Sequence, residues 1–318
     1  KEFEAFPTMQ RLSERTKGII QVSSAGNTGR AFAEVSAETG QPVIIVVPES
    51  ARDRIFTTSP AHDILLITIS GDYTDAINLG SRICTLPGIF PEGGAKNVAR
   101  RDGMGTVMLA GTLAMGTLPD WYLQAVGSGT GGIAAYEASL RLIADGRFGT
   151  RMPRLLLFQN EPFIPMVRAW QEKRREIKDE DMPDAEQAIS QVYSDVLTNR
   201  TPPYGIVGGV FDTLIATNGL MAGVSSADAQ EAGKLFSSSE GIDPDPAAAV
   251  CVAGLMRAVR SGVIKPDEKI LLNITGGGYA RGRKDLPRFV KAPDIMVSKE
   301  TPFEKISAKV QEWMKYYA

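Results

Sequence analysis

The sequence predicts an α/β protein made of two doubly wound α/β domains, and three observations carry that expectation. Short runs that are apolar throughout, such as residues 43–47 and 64–69, alternate with longer stretches of helical periodicity. That is the signature of parallel strands covered on both faces. Glycine-rich turns follow two of the strands, at residues 24–29 and 127–132, where open α/β sheets place their ligands. The length of 318 residues suits about two domains.

In chain order, Ile19-Ile20-Gln21-Val22-Ser23 reads as a strand, and residues 27–39 as a helix stopped by Gly40. Pro42 and Pro48 bound the strand at 43–47; another strand follows at 64–69, then a helix at 74–83. A second unit opens with the strand at 121–126, followed by a helix at 133–145 and a strand at 155–158. The stretch from Pro162 to Asn199 reads as helical, with Lys173-Arg174-Arg175-Glu176 on a solvated face. Helices at 226–237 and 246–260, a strand at 269–274 and an amphipathic helix at 303–317 complete the pattern. Residues 1–115 are expected to form a smaller domain and residues 116–318 a larger one.

Composition excludes several function classes. The 35 basic and 37 acidic side chains leave a net charge of −2, so no global field favours nucleic acid. No apolar run approaches the roughly 20 residues of a membrane span. Cys84 and Cys251 are the only cysteines, too few for a disulfide scaffold or a cysteine zinc site, and they fit a reducing, cytoplasmic setting. One histidine, His62, stands in a Pro-Ala-His-Asp turn. A histidine-based triad or metal centre would need that one residue at its heart, so proton transfer is expected to use another group and no metal is expected.

Four constellations remain. Ser24-Ala25-Gly26-Asn27-Thr28-Gly29 lies between a strand and a helix, where small residues let an anion reach backbone N–H groups at the positive end of the helix. Asn27 adds a side-chain donor and acceptor. Gly127-Ser128-Gly129-Thr130-Gly131-Gly132 satisfies the dinucleotide fingerprint, but Glu161, the acid nearest the end of the next strand at 155–158, stands too far along the chain; a phosphate cradle fits better than a pyrophosphate site. Asn273-Ile274-Thr275-Gly276-Gly277-Gly278 closes a strand and offers a hydroxyl. Finally, Lys96, Arg100 and Arg101 sit among the glycines of residues 93–103, which read as an anion-handling loop.

Lys1-Glu2, the Ser24–Gly29 turn, Gly129-Thr130-Gly131-Gly132 and Asn273–Gly278 together resemble the fold-type II pyridoxal-phosphate enzymes, within them the threonine-synthase-like branch. The resemblance extends from Lys1 through at least Gly278 and implies the tryptophan synthase β-like architecture for the two domains and pyridoxal 5'-phosphate as cofactor. It implies that Lys1 is the catalytic, Schiff-base lysine, that Asn27 bonds the cofactor's phenolic oxygen, that Gly129, Thr130, Gly131 and Gly132 hold its phosphate, and that Thr275 faces the pyridine nitrogen. Ser24, Ala25, Gly26 and Thr28 would bind the substrate carboxylate, and Lys96, Arg100 and Arg101 its distal anionic groups. The implied reaction is a β-replacement that turns O-phospho-L-serine and sulfite into L-cysteate and phosphate, as in coenzyme M biosynthesis in archaea. A threonine synthase acting on O-phosphohomoserine is the alternative, as is, in another class, a nicotinamide-dependent oxidoreductase. Small-molecule substrates, no nucleic acid, no membrane and a homo-oligomer are the expected partners, and a segment of natural chain is expected before Lys1.

Overall fold

Strands that are apolar on both faces must be covered on both, and the arrangement of the chain follows from that requirement. The computed structural model describes residues 1–15, 17–24 and 26–317. These residues divide into two units, 1–103 with 283–318, and 104–282.

The first unit begins with α1 (Glu2–Ser13), β1 (Ile19–Ser23), α2 (Asn27–Thr39), β2 (Val43–Pro48), β3 (Phe56–Thr57), β4 (Ile64–Ser70), α3 (Tyr73–Ile83) and β5 (Ile89–Pro91). Strand β1 pairs in parallel with β2 and β5, and β2 in parallel with β4. Alternate side chains of β2 leave on opposite faces. Val43, Ile45 and Val47 join Phe32 and Val35 of α2 and Ala5 and Met9 of α1 in one buried cluster. Ile44 and Val46 join Ala76, Leu79 and Ile83 of α3 in another. Gly40 ends α2 in the left-handed conformation, and Asp72 caps α3 through the N–H groups of Thr74 and Asp75.

Residues 93–103, expected as a loop, are instead a short 3-10 turn over Gly94–Lys96 followed by the start of α4 (Val98–Met115). Asn97 caps that helix by accepting from the N–H of Ala99, which is why the chain winds there. The helix crosses α1 at Gly103, where a Cβ would stand 1.9 Å from the carbonyl oxygen of Phe3 and 2.7 Å from Cγ of Pro7. A backbone carbonyl cannot swing away, so Gly103→Ala is expected to destabilise the fold by about 2–3 kcal/mol. Chemical denaturation measures this, and an unchanged midpoint would contradict the close crossing.

The second unit continues with β6 (Trp121–Ala125), α5 (Thr130–Asp145), β7 (Arg154–Asn160), α6 (Pro165–Gln171), α7 (Ala185–Ser190), α8 (Val210–Ala216), β8 (Leu220–Val224), α9 (Ser226–Glu240), α10 (Pro246–Arg260), β9 (Ile270–Leu272) and α11 (Tyr279–Asp285). Its sheet is parallel in the order β8-β7-β6-β9. Trp121, Leu123, Leu156 and Phe158 share a core with Ala229 of α9 and Val250 and Cys251 of α10. On the other face Gly132 of α5 lies against Leu157.

Between residues 162 and 199 the expected continuous helix is absent. Two short helices and two 3-10 turns stand there, because side chains take the bonds a helix would make. Arg174 pairs with buried Asp181 at 2.7 Å, Arg168 donates to the Asp181 carbonyl, and Lys173 and Asp184 adopt positive φ. Arg174 is therefore bound inward rather than solvated.

The chain then returns with β10 (Phe289–Val290), β11 (Ile295–Ser298) and α12 (Phe303–Met314). β11 pairs in parallel with β4, β10 pairs with β3, and Ile306 and Val310 fill the cluster beneath α3. The C-terminal segment thus belongs with the first unit, not with the second as its place in the chain suggests, and the division falls inside α4 rather than at residue 115. A four-residue strand and a helix uninterrupted across the division conceal both features from periodicity.

Candidate active site

In the first unit, the resemblance-implied lysine stands at the start of α1 with its side chain about one-third exposed. Its Nζ lies 3.4 Å from Oε1 of Glu4, one helical turn on, and Glu4 is fully buried. The same oxygen accepts from the hydroxyl of Thr28 at 3.2 Å and from Nη2 of Arg100 at 3.2 Å, while Nε of Arg100 donates to Oε2 at 3.2 Å. Arg100 is held on its other side by Glu92 at 2.6 Å, and Glu92 accepts from the N–H of Gly94. Glu2 pairs with Arg30. Burial alone would raise the Glu4 carboxyl, but Arg100 and Lys1 pull it down from its usual 4.5 to about 2. A depressed carboxylate contributes stability that is complete above its unfolded value and is lost as pH falls through the folded one. Wild-type protein is therefore expected to lose on the order of 3 kcal/mol between about pH 4.5 and pH 2 from this group, and Glu4→Gln to flatten that stretch of a stability-versus-pH curve.

The asparagine turn forms at the C-terminal end of β1. Ser24 is buried, its N–H bonded to the carbonyl of Val46 and its hydroxyl accepting from the N–H groups of Gly26 and Gly29. Two of the N–H groups expected to hold a substrate carboxylate, those of Ser24 and Gly26, are therefore spent inside the turn. Asn27 and Thr28 open α2, whose N-cap Gly26 brings no capping side chain and whose first turn carries no acid. Ala25 lies outside the described residues. Gly26 adopts φ 133°, and a Cβ there would meet Cδ of Arg54 at 2.7 Å, so a glycine is required on both counts.

In the second unit, β6 and β9 are neighbours and parallel, so their C-terminal ends lie side by side. From the first springs Gly127–Gly132, from the second Thr275. Gly129 takes φ 79° and starts α5, accepting from the N–H groups of Gly132 and Ile133. It offers no capping side chain, and the first turn of this 16-residue helix has no acid. The N–H of Thr130 meets the Ser128 hydroxyl at 3.4 Å and that of Gly132 the Gly129 carbonyl, so among the described residues the N–H groups of Gly129 and Gly131 are the ones left toward an anion. Beneath the cradle, a buried chain of hydrogen bonds runs from Asn273 Nδ2 to the Tyr122 hydroxyl at 2.7 Å and on to Oε1 of Gln124 at 2.7 Å. A Cβ on Gly131 would fall 2.4 Å from that Oε1. The chain fixes Asn273, two residues before Thr275, against the strand that carries the cradle. Thr275 is half-buried, and among the described residues its hydroxyl makes no hydrogen bond.

Lys1, Thr28 and Arg100 converge on Glu4, while Lys96 is exposed on its 3-10 turn and Arg101 bonds the carbonyl of Ala95. Arg100, expected to reach a distal anion, is buried and committed to two carboxylates. Sequence reasoning missed Glu4, Glu92 and the Tyr122–Gln124 pair. An acid three positions after the lysine is the one trace that Glu4 leaves in the sequence.

Comparison with known proteins follows the same lines. Residues 1–276 match the pyridoxal-phosphate dependent enzyme family. Over all 318 residues the chain is 99% identical to cysteate synthase of Methanospirillum hungatei, spanning 75% of that protein's length. The chain belongs to the cysteate synthase family of pyridoxal-phosphate-dependent enzymes. It is also 61% identical over 298 residues to cysteate synthase of Methanoculleus marisnigri, covering 93% of this chain and 69% of that one. Among solved structures, O-ureido-L-serine synthase superposes with a TM-score of 0.63 at 14% identity over 98% of this chain and 86% of the other. Maize serine racemase gives 0.58 at 12% identity, covering 100% and 84%. These confirm the expected fold class. A member of the cysteate synthase family is an enzyme that uses pyridoxal phosphate, and the residues fit that group: an amine, a helix start with no acid in its first turn, and a hydroxyl that makes no hydrogen bond among the described residues. Neither threonine synthase nor a nicotinamide-dependent oxidoreductase is favoured. No helix among the described residues is long and apolar enough to cross a membrane.

Proposed function

We propose that this enzyme converts O-phospho-L-serine and sulfite into L-cysteate and phosphate by β-replacement. The observation that carries the reading is the 99% identity, along the whole chain, to a cysteate synthase. Pyridoxal phosphate supplies an aldehyde for the substrate amine and a ring that accepts the electron pair released at Cα.

The chain's own residues do the rest. Nζ of Lys1 would bind the aldehyde at rest and, once the substrate amine has replaced it, take the Cα proton. The Cβ–O bond then breaks with its electron pair leaving on phosphate, the sulfur of sulfite bonds to Cβ, and the proton returns from Nζ to Cα. At the start of α5 the N–H groups of Gly129 and Gly131 would hold the cofactor phosphate with Thr130 beside them, while Gly132, whose N–H bonds the Gly129 carbonyl, would shape the turn. Thr275 would meet the ring nitrogen with a neutral hydroxyl, which brings no countercharge to hold a proton there. Asn27 would meet the phenolic oxygen. At the opening of α2, Asn27 and Thr28 are the residues we assign to the substrate carboxylate, with Ser24 and Gly26 shaping the turn. Lys96 and Arg101 are our assignments for the phosphate and sulfite charges, and Arg100 acts from behind through Glu4. We place the enzyme in the cytoplasm, where its two free cysteines stay reduced, and expect a homo-oligomer, which light scattering would read as a multiple of 34.3 kDa.

The decisive assay supplies the purified protein with pyridoxal phosphate and compares substrates. Phosphate release from O-phospho-L-serine should depend on sulfite and match L-cysteate formed, by mass spectrometry, mole for mole. O-phosphohomoserine alone should release none. Release from O-phosphohomoserine with threonine as product would overturn the reading.

A further inference from the structure

The Lys1–Glu4 contact has more partners than an incidental ion pair needs. Glu4 is fully buried, and Arg100 clamps it with one N–H bond to each carboxylate oxygen. Yet Oε1 also takes the Thr28 hydroxyl and the amine of Lys1. We infer that Glu4 is the positioning residue for Lys1, a carboxylate clamped by Arg100 and Thr28 so that the amine is held in register with the asparagine turn. The inference rests on Lys1 being the residue that carries the cofactor.

Three features support it. First, the i,i+3 spacing on α1 puts Glu4 on the same helical face as Lys1, so the lysine needs no backbone movement to meet it. Second, the clamp is rigid. Arg100 is itself buried, and it is pinned from the far side by Glu92, which bonds the N–H of Gly94. Two cations and two carboxylates balance, so the cluster buries no net charge when the amine is protonated. Third, Thr28 is the neighbour of Asn27 at the start of α2. One carboxylate oxygen therefore ties the lysine directly to the turn that would meet the same cofactor. A lysine on a long flexible stem loses rotamer freedom when it must reach one atom. Holding it beforehand removes that cost from the reaction.

A merely structural role for Glu4, as the partner of Arg100, predicts something different, and two variants separate the roles. Glu4→Gln removes the charge. The double variant Glu4→Met with Arg100→Met removes both ends of the fully buried pair, which proteins tolerate far better than one unpaired end, and leaves Glu92, partly exposed, with its bond from the N–H of Gly94. In each, full-length protein freed of cofactor is mixed with pyridoxal phosphate, and the rate of covalent attachment is followed by visible absorbance. The product is confirmed by borohydride trapping and peptide mass mapping. Binding without attachment is measured in parallel with 4'-deoxypyridoxine 5'-phosphate, which lacks the aldehyde. The expected result is attachment at least tenfold slower than wild type in both variants, with 4'-deoxypyridoxine 5'-phosphate bound within about twofold. Attachment at the wild-type rate in either variant, or slowing matched by an equal loss of 4'-deoxypyridoxine 5'-phosphate binding, overturns the inference. A wild-type protein that traps its pyridoxyl group on a lysine other than Lys1 overturns instead the reading on which it rests, and mass mapping tells these failures apart.

Discussion

Replacing Lys1 by alanine is expected to lower kcat/KM by about 10^4-fold or more, a loss of roughly 5 kcal/mol of transition-state stabilisation, while leaving the fold close to wild type. The two halves of that expectation come from different observations. Activity falls because one amine is asked to bind the cofactor aldehyde and to move the Cα proton, and alanine can do neither. Stability holds because Lys1 is partly exposed and Glu4 keeps both of its Arg100 bonds when the lysine is gone. Lys1→Arg sharpens the test. It keeps a cation beside Glu4 but supplies no nucleophilic amine at neutral pH, so it should be as inactive as alanine. Turnover above a few per cent of wild type in either variant, with the protein folded by circular dichroism, would remove Lys1 from the chemistry.

How much of this was legible beforehand depends on whether the deciding contact is local. The strands at 19–23, 43–48, 64–70 and 121–125 announce themselves because both faces are apolar, and their ends shift by only a residue or two. The turns after β1 and β6 are legible for the same local reason, since small residues between a strand and a helix have few other uses. Helix α4 was not legible. Its glycines look like loop residues until the close approaches they permit are known: Gly103 against Phe3, Gly105 against Ala134, Gly111 against Leu271. Helix α5 begins three residues before the periodic pattern, because Thr130, Gly131 and Gly132 wind as the open first turn rather than by propensity. Arg100 reads as a free cation because Glu4 stands 96 positions away. Likewise Asn273 meets Tyr122 across 151 positions. Long-range polar pairs leave no trace in periodicity, and they decide which charges face a ligand and which are already spent.

The second large effect is expected at Gly129, and a glycine at the other end of the same helix provides its control. Gly129 and Gly146 flank α5 with nearly the same backbone, φ 79° and φ 80°. Alanine at either position carries the cost of the left-handed region, about 1 kcal/mol. The surroundings differ. A Cβ at Gly146 meets nothing within 4 Å, whereas at Gly129 it would stand 2.1 Å from Cγ2 of Val210, the first residue of α8. Because the Gly129 carbonyl accepts from Gly132 and Ile133, any shift that relieves the clash turns the opening N–H groups of α5. Gly129→Ala should therefore weaken pyridoxal phosphate binding by at least 100-fold and cost about 2–3 kcal/mol of stability. Gly146→Ala should cost about 1 kcal/mol and leave cofactor affinity unchanged. Equilibrium dialysis and urea denaturation of both variants read the comparison. Equal cofactor affinities in the two would mean that the start of α5 holds no phosphate, however well its glycines pack.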